Sequence, residues 1–151
     1  MSGFHRRSAC VLAIMLGTVV PVFAQPPKPA GHIKTASGAA YIVRHNATIA
    51  ARPGTAVFET DALRTGADGT VGVTLNDDTR LSLGPASEVR LERYMYAPGQ
   101  GGFAMVLKFA RGVAAYVSGR MAKLAPDSIR LETPSAIVGV RGTTVAIRVE
   151  Q

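Results

Sequence analysis

The sequence has few of the residues that build catalytic or metal centres. Its 151 residues include no tryptophan, three histidines and a single cysteine, Cys10. Cys10 lies in the first apolar segment, so loss of that segment leaves no cysteine for a disulfide, a thiolate metal site or a nucleophile. His32 and His45 stand apart from any nucleophile motif, and we predict that His45 is a surface residue.

The N-terminal segment has the three parts of a secretory signal peptide. Arg6 and Arg7 supply positive charge, residues 9–20 are mostly apolar, and Val22 and Ala24 are the small residues that suit a signal peptidase. We therefore predict a signal peptide over residues 1–24 and export to the periplasm. The alternative is an uncleaved inner-membrane anchor, which the short apolar run disfavours because a span needs about 20 apolar residues.

Length and charge limit the classes of protein that remain. Removal of the first 24 residues leaves 127, which is enough for one domain. Those 24 residues hold two of the 17 basic residues and no acidic one, so the mature net charge is +5. The basic residues are scattered, without a basic block or interleaved aromatics. We predict no nucleic-acid partner, no cofactor and no stable membrane insertion after cleavage.

Periodicity favours an all-β domain. Residues 25–37 are rich in proline near their start and are predicted to be a leader, with the domain over residues 38–151. Apolar and polar residues alternate over residues 71–75, 81–83 and 89–91, and no long helical repeat follows the signal. The sequence predicts many short strands in a β-solenoid-like or β-sandwich fold.

Glycine and proline place the expected turns. Residues 98–102 are predicted to divide two β-rich halves, and Arg111-Gly112 to turn the chain between two strands. Residues 136–140 and 145–149 are predicted to be the closing strand pair. If Gly142 is the hinge of that pair and needs a positive φ, Gly142→Val should be far more damaging than His45→Ala.

Two kinds of charged residue are candidates for a functional role. Asp61, Asp68, Asp77 and Asp78 stand in predicted turns, where aspartate bonds the backbone, and this explains them better than a calcium or glycosidase site does. Arg141 follows an apolar residue beside a tight turn. We predict that it is a buried structural residue rather than a partner contact, because the neighbouring valines indicate a core position.

The order of these motifs resembles the FecR domain family. The resemblance extends over about residues 38–149 and depends on three motifs. These are the segment around Asp61, Thr65 and Gly66, the hairpin of residues 71–83, and the closing segment with Thr133, Pro134, Gly139, Arg141, Gly142 and Thr143. The hairpin turn is Asp77-Asp78 where the family usually has Asp-Gly, and aspartate tolerates the left-handed conformation better than most residues.

The resemblance implies a non-catalytic binding or interaction module in envelope signalling or signal sensing. Family members that regulate sigma factors carry a cytoplasmic segment, a membrane span and a further subdomain, and this chain resembles the exported domain alone. We therefore expect no anti-sigma activity. The expected partner is an unidentified protein or an envelope polymer. The alternative function is binding or hydrolysis of envelope polysaccharide, which sequence alone leaves open.

Overall fold

The fold is all-β, as predicted. The computed structural model describes residues 21–142 and 144–150, so most of the predicted signal peptide and Thr143 lie outside the described residues. The strands of the described chain are β1 (Gly31–Ser37), β2 (Ala40–Arg44), β3 (Ala47–Ala50), β4 (Ala56–Val57), β5 (Ala62–Thr65), β6 (Thr70–Leu75), β7 (Arg80–Leu83), β8 (Glu88–Ala97), β9 (Gly102–Val117), β10 (Ile129–Glu132), β11 (Ile137–Gly139) and β12 (Thr144–Val149).

These strands form one sheet that curls into a half-barrel. The order along the main path is β3-β2-β5-β8-β9-β7-β6-β1-β4. All pairs are antiparallel except β9 with β10. The 16-residue β9 belongs to both halves of the sheet: its first part pairs with β8 and β10, and its last part pairs with β7 and β12.

The core lies inside the curl and explains the alternation in the sequence. Successive side chains of a strand point to opposite faces, so every second residue is buried. Val71, Val73 and Leu75 of β6 are buried, as are Leu81 and Leu83 of β7. The core also takes side chains from β1, β2, β5, β8, β9 and β10. Burial of this apolar surface is the main force that favours the curled sheet.

Gly112 lies where β9 passes from one half of the sheet to the other. The predicted turn at Arg111-Gly112 is wrong, because β9 bends there and continues. The φ of Gly112 is 84°, and a Cβ placed on it would lie 2.2 Å from Ser87 Oγ. Ser87 Oγ in turn accepts the Val113 N–H at 2.9 Å. A glycine with positive φ marks a bend within a strand as readily as a turn between two.

Three other boundaries differ from the sequence expectation. β1 begins at Gly31, inside the range expected for the leader, because Ile33 already belongs to the core. Residues 98–102 do not divide two halves, since they form the 3-10 turn and tip of the β8–β9 hairpin. The two closing strands are not paired with each other, because β11 pairs with β10 while β12 pairs with β9.

One short helix, α1 (Arg120–Leu124), follows β9. Its five residues stay in place because Met121 is buried in the core and because the β6–β7 turn accepts its first N–H groups. Asp78 in that turn has a φ of 66°, which confirms that aspartate supports the left-handed conformation there. Among the described residues, no helix is long and apolar enough to cross a membrane.

Candidate functional site

The motif residues named from the sequence separate into a buried group and an exposed group. Asp61 and Thr65 are buried and Gly66 is half-buried, and these residues hold strands together. Thr133, Pro134, Gly139, Arg141 and Gly142 lie on the surface around β11 and the start of β12. The exposed group makes few contacts that stabilise the fold, so it is the better candidate for a contact with another molecule.

Asp61 is the centre of a buried ion pair. Its carboxylate, 1% exposed, accepts hydrogen bonds from Arg44 Nε at 2.8 Å and Arg44 Nη2 at 2.7 Å, and from the Phe58 N–H at 2.8 Å. The guanidinium also lies 4.5 Å from the centre of the Phe58 ring. Its hydrogen bond to Asp61 raises the pKa of Arg44, so the guanidinium stays charged. Asp61 ties β2 to the β4–β5 connection, and its burial keeps the carboxylate away from solvent.

Thr65 and Gly66 fix the corner between β7 and β8. Thr65 Oγ1 donates to the Gly84 carbonyl at 2.7 Å and accepts the Ser87 N–H at 2.9 Å. The Gly66 carbonyl accepts the Ala86 N–H at 2.8 Å. This corner lies beside the bend at Gly112, so the motif holds both strands where the sheet changes direction. Its role is structural.

A second buried carboxylate, Asp77, holds the β6–β7 turn against α1. It is fully buried and accepts hydrogen bonds from Thr79 Oγ1 at 2.7 Å, Met121 N–H at 3.3 Å and Tyr94 Oη at 3.1 Å. Burial raises the pKa of the Tyr94 hydroxyl well above its ordinary value, and the Asp77 charge raises it further. A negative phenolate beside this carboxylate would be strongly disfavoured.

We expect this tyrosine to make the fold sensitive to alkali. Below pH of about 10 the hydroxyl is protonated in both the folded and the unfolded chain. Above about pH 10 the unfolded chain ionises first, so the free energy of unfolding falls as the pH rises. Tyr94→Phe should flatten that fall, as measured by denaturant midpoints over the alkaline range. Tyr41→Phe, at an exposed tyrosine, is the control, and equal slopes in the two variants would contradict the assignment.

The exposed group forms what we call the C-terminal edge: β11, residues 140–142 and β12. Thr133 and Pro134 begin the turn that leads into it, with the Thr133 N–H donating to the Ala136 carbonyl at 2.8 Å. All three residues of β11 are exposed, including Ile137 at 68% and Val138 at 36%. Among the described residues β11 pairs with β10 alone. Large apolar side chains on such an edge strand indicate a surface that another strand can cover.

β12 presents a second free side. Within the described residues it pairs with β9 alone. Its inward residues Val145, Ile147 and Val149 pack against the core but remain half-buried. A shallow groove of about 600 Å³ lies on the outer face beside it, lined mainly by small uncharged residues such as Gly72, Ser82, Ala115 and Ala146. An added strand at β12 would complete the burial of these apolar side chains.

Arg141 and Gly142 differ from their predicted roles. Arg141 is exposed, so the expectation of a buried structural residue is wrong. Gly142 has no positive φ that requires glycine, and no atom lies within 4 Å of a Cβ placed on it. The expectation that Gly142→Val is severely damaging therefore loses its basis, since β11 and β12 do not form a hairpin around it. Gly139 likewise has open space around it.

The other polar candidates stay apart. His45 is exposed, as predicted, and with Asn46 it forms the left-handed turn between β2 and β3. Asp68 accepts the Ala39 N–H, and Asp78 pairs with Arg120 on the surface at 2.7 Å. In the described ranges, no three His, Cys, Asp or Glu side chains converge as metal ligands. The candidate site that the described residues offer is therefore the C-terminal edge, where the exposed Arg141 lies beside β11.

These features define a class: an all-β domain whose surface offers free strand edges. A comparison with protein-family models identifies the family of this domain, because the family model described as FecR protein matches residues 61–151. The chain belongs to the FecR family, as the sequence motifs predicted. FecR domains are known from envelope signalling proteins. Neither a search of curated proteins nor a search of solved structures finds a match to this chain.

Proposed function

We propose that the chain is a periplasmic, non-catalytic binding module that takes part in envelope signalling through its C-terminal edge. The observation that carries the proposal is the exposure of Ile137, Val138 and Arg141 on and beside a strand with one free side. Strand addition uses the unpaired backbone N–H and C=O groups of such an edge for affinity and the neighbouring side chains for specificity.

The division of the family motif supports this proposal. The first part of the motif, Asp61, Thr65 and Gly66, makes internal hydrogen bonds that hold the fold together. The closing part of the motif has no comparable structural role among the described residues. Arginine suits a contact because its planar guanidinium donates to carboxylates or backbone carbonyls of a partner. We infer that the partner is a protein that presents an extended segment to β11 or β12.

The rival function, binding or hydrolysis of envelope polysaccharide, has weaker support. A hydrolase needs two carboxyl groups that face each other across an open site. The two buried carboxylates, Asp61 and Asp77, are instead engaged by internal donors. Sugar binding favours exposed aromatic rings, and of the tyrosines only Tyr41 is among the most exposed large side chains of the described chain.

A photo-crosslinking residue placed at Ile137 tests the proposal in cells that export the chain. We expect it to capture a discrete protein, because this side chain would lie in the contact. The matched control is the same residue at Thr48, which is exposed on β3, an edge strand that β2, β5, β8, β9 and β10 separate from β11. Capture at both positions alike, or at neither, would contradict a specific contact at the C-terminal edge.

A further inference from the structure

The fold gathers basic residues that are scattered in the sequence onto one outer face of the sheet. On β5, β8, β9 and β10, side chains that point away from the core alternate with core residues. Among these outward side chains six are basic and three are acidic. We call this surface of nine charged residues the cationic face. Its basic residues are Arg64, Arg90, Arg93, Lys108, Arg111 and Arg130, and its acidic residues are Glu88, Glu92 and Glu132.

Strand register brings these charges close together. It places them in three rows across neighbouring strands: Arg64–Glu88–Arg111, Arg90–Lys108–Glu132 and Arg93–Val106–Arg130. Adjacent strands lie about 4.8 Å apart, so each row is about 10 Å wide. That width is comparable with the Debye length of about 10 Å at 0.1 M salt. An anionic surface in contact with the face therefore interacts with many of these charges at once.

Two glutamates hold four of the cations in ion-pair triads. Glu88 lies 3.1 Å from Arg64 Nε and 3.7 Å from Arg111 Nη2. Glu92 lies 3.1 Å from Arg90 Nε and 3.6 Å from Lys108 Nζ. Each triad keeps one net positive charge. The triads also hold the cations on the face, which lowers the entropy lost when they meet an anion.

Arg93 and Arg130 supply two further positive charges, against the one carboxylate of Glu132, which belongs to neither triad. Both arginines are exposed, and neither makes an ion pair with another described residue. They flank the smaller Val106 on either side of β9, about two strand spacings apart. Glu59 lies at the border of this row, where its carboxylate accepts the Tyr94 N–H at 2.9 Å.

The charge is distributed unevenly over the protein. The cationic face carries a net charge of +3, against +5 for the whole mature chain. The outer face of the other half of the sheet has a central row of uncharged small residues, and these are Thr35, Gly72, Ser82, Ala115 and Ala146. Arg80 and Arg148 flank that row, so both outer faces are positive, but the cationic face holds the larger number of basic residues. An anionic surface can therefore meet that face at several cations at once.

We propose that the cationic face docks on the acidic phospholipid headgroups of a membrane surface. Its cations are spread over four strands rather than directed into a pocket, which fits a surface where phosphates recur in every direction. Exposed Tyr41, beside Arg64, and exposed Met95, beyond Arg93, lie on the same outer side. Tyrosine and apolar side chains both favour the membrane interface. Docking of this kind is peripheral and does not depend on the proposed partner contact.

Sedimentation with lipid vesicles tests this inference on the exported form of the chain. We expect binding to vesicles of equal parts phosphatidylglycerol and phosphatidylethanolamine, and none to pure phosphatidylcholine. Reversal of the two free cations, Arg93→Glu with Arg130→Glu, should weaken binding by about tenfold or more, because each basic residue near an acidic bilayer contributes measurably. High salt should release the wild-type protein.

The matched control is Arg80→Glu with Arg148→Glu, which makes the same change of charge on the outer face of the other half of the sheet. Both of these arginines are exposed. We expect the control to keep most of its binding, and circular dichroism checks that both variants are folded. If both variants lose vesicle binding equally, then binding depends on the net charge of the protein and not on the cationic face, and the inference is overturned. Failure of the wild-type protein to bind acidic vesicles, or binding only to an immobilised acidic polypeptide, would also overturn it.

Discussion

Gly112→Ala is expected to destabilise the domain by about 3 kcal/mol or more, since the new Cβ overlaps its neighbours and the backbone is left-handed. That Cβ would lie 2.2 Å from Ser87 Oγ and 2.6 Å from the Ala86 carbonyl oxygen. Relief of the overlap would shift the corner between β7 and β8, which Thr65 holds. Denaturant midpoints at an unchanged m-value measure the effect.

Gly142→Ala is the matched control, because it makes the same chemical change in open space. Its effect should stay within roughly 0.5 kcal/mol, as is typical of surface changes. If the Gly142 variant loses as much stability as the Gly112 variant, then the closing segment has a structural role that its exposure does not show. The assignment of that segment to partner contact would then fail.

Arg44→Ala is expected to lower the free energy of unfolding by about 3 kcal/mol, because it leaves the Asp61 carboxylate buried without its cation. The carboxylate is 1% exposed, and it keeps only the Phe58 N–H as a donor. The change also removes the guanidinium from the Phe58 ring and from the Ala56 carbonyl.

Arg120→Ala is the control for this prediction. Arg120 pairs with Asp78 at the same 2.7 Å, but the two side chains are 60% and 63% exposed. Exposed pairs contribute little to stability, because water and salt screen them. We expect an unfolding midpoint close to that of the wild-type protein. Similar losses in the two variants would show that burial of Asp61 is not what makes its ion pair important.

Much of the fold could be predicted because local pattern and tertiary structure agree. The alternation at Val71, Val73 and Leu75 puts these side chains in the core whatever the neighbouring strand is. The left-handed turn at Asp78 follows from the preferences of aspartate itself. Such features depend on a few consecutive residues, which is why the sequence alone predicts them.

The pairing of distant strands could not be predicted in the same way. Gly112 marks a bend within β9, and only the contact with Ser87 distinguishes that bend from a turn. β11 and β12 are close in sequence, yet each joins a different half of the sheet, so a hairpin was the wrong inference. Between these two strands Val140 enters the core while the adjacent Arg141 is exposed, and the sequence alone does not show which of the two faces inward.

The clustering of basic residues on one face could not be predicted from the sequence either. No basic block exists in the sequence, because strand alternation separates Arg90, Lys108 and Arg130 by core residues or by whole connections. Strand register brings them onto one face. The buried roles of Asp61 and Thr65 were also hidden, since the motif alone does not tell a structural residue from a contact residue.

The most direct test of the central claim measures stability and partner capture together in one variant. Val138→Lys places a charge on the exposed β11, at a residue that does not belong to the buried core. We expect its denaturant midpoint to match that of the wild-type protein, while capture through the crosslinker at Ile137 is lost. A lowered midpoint, or capture at the wild-type level, would contradict the claim that this edge serves binding rather than folding.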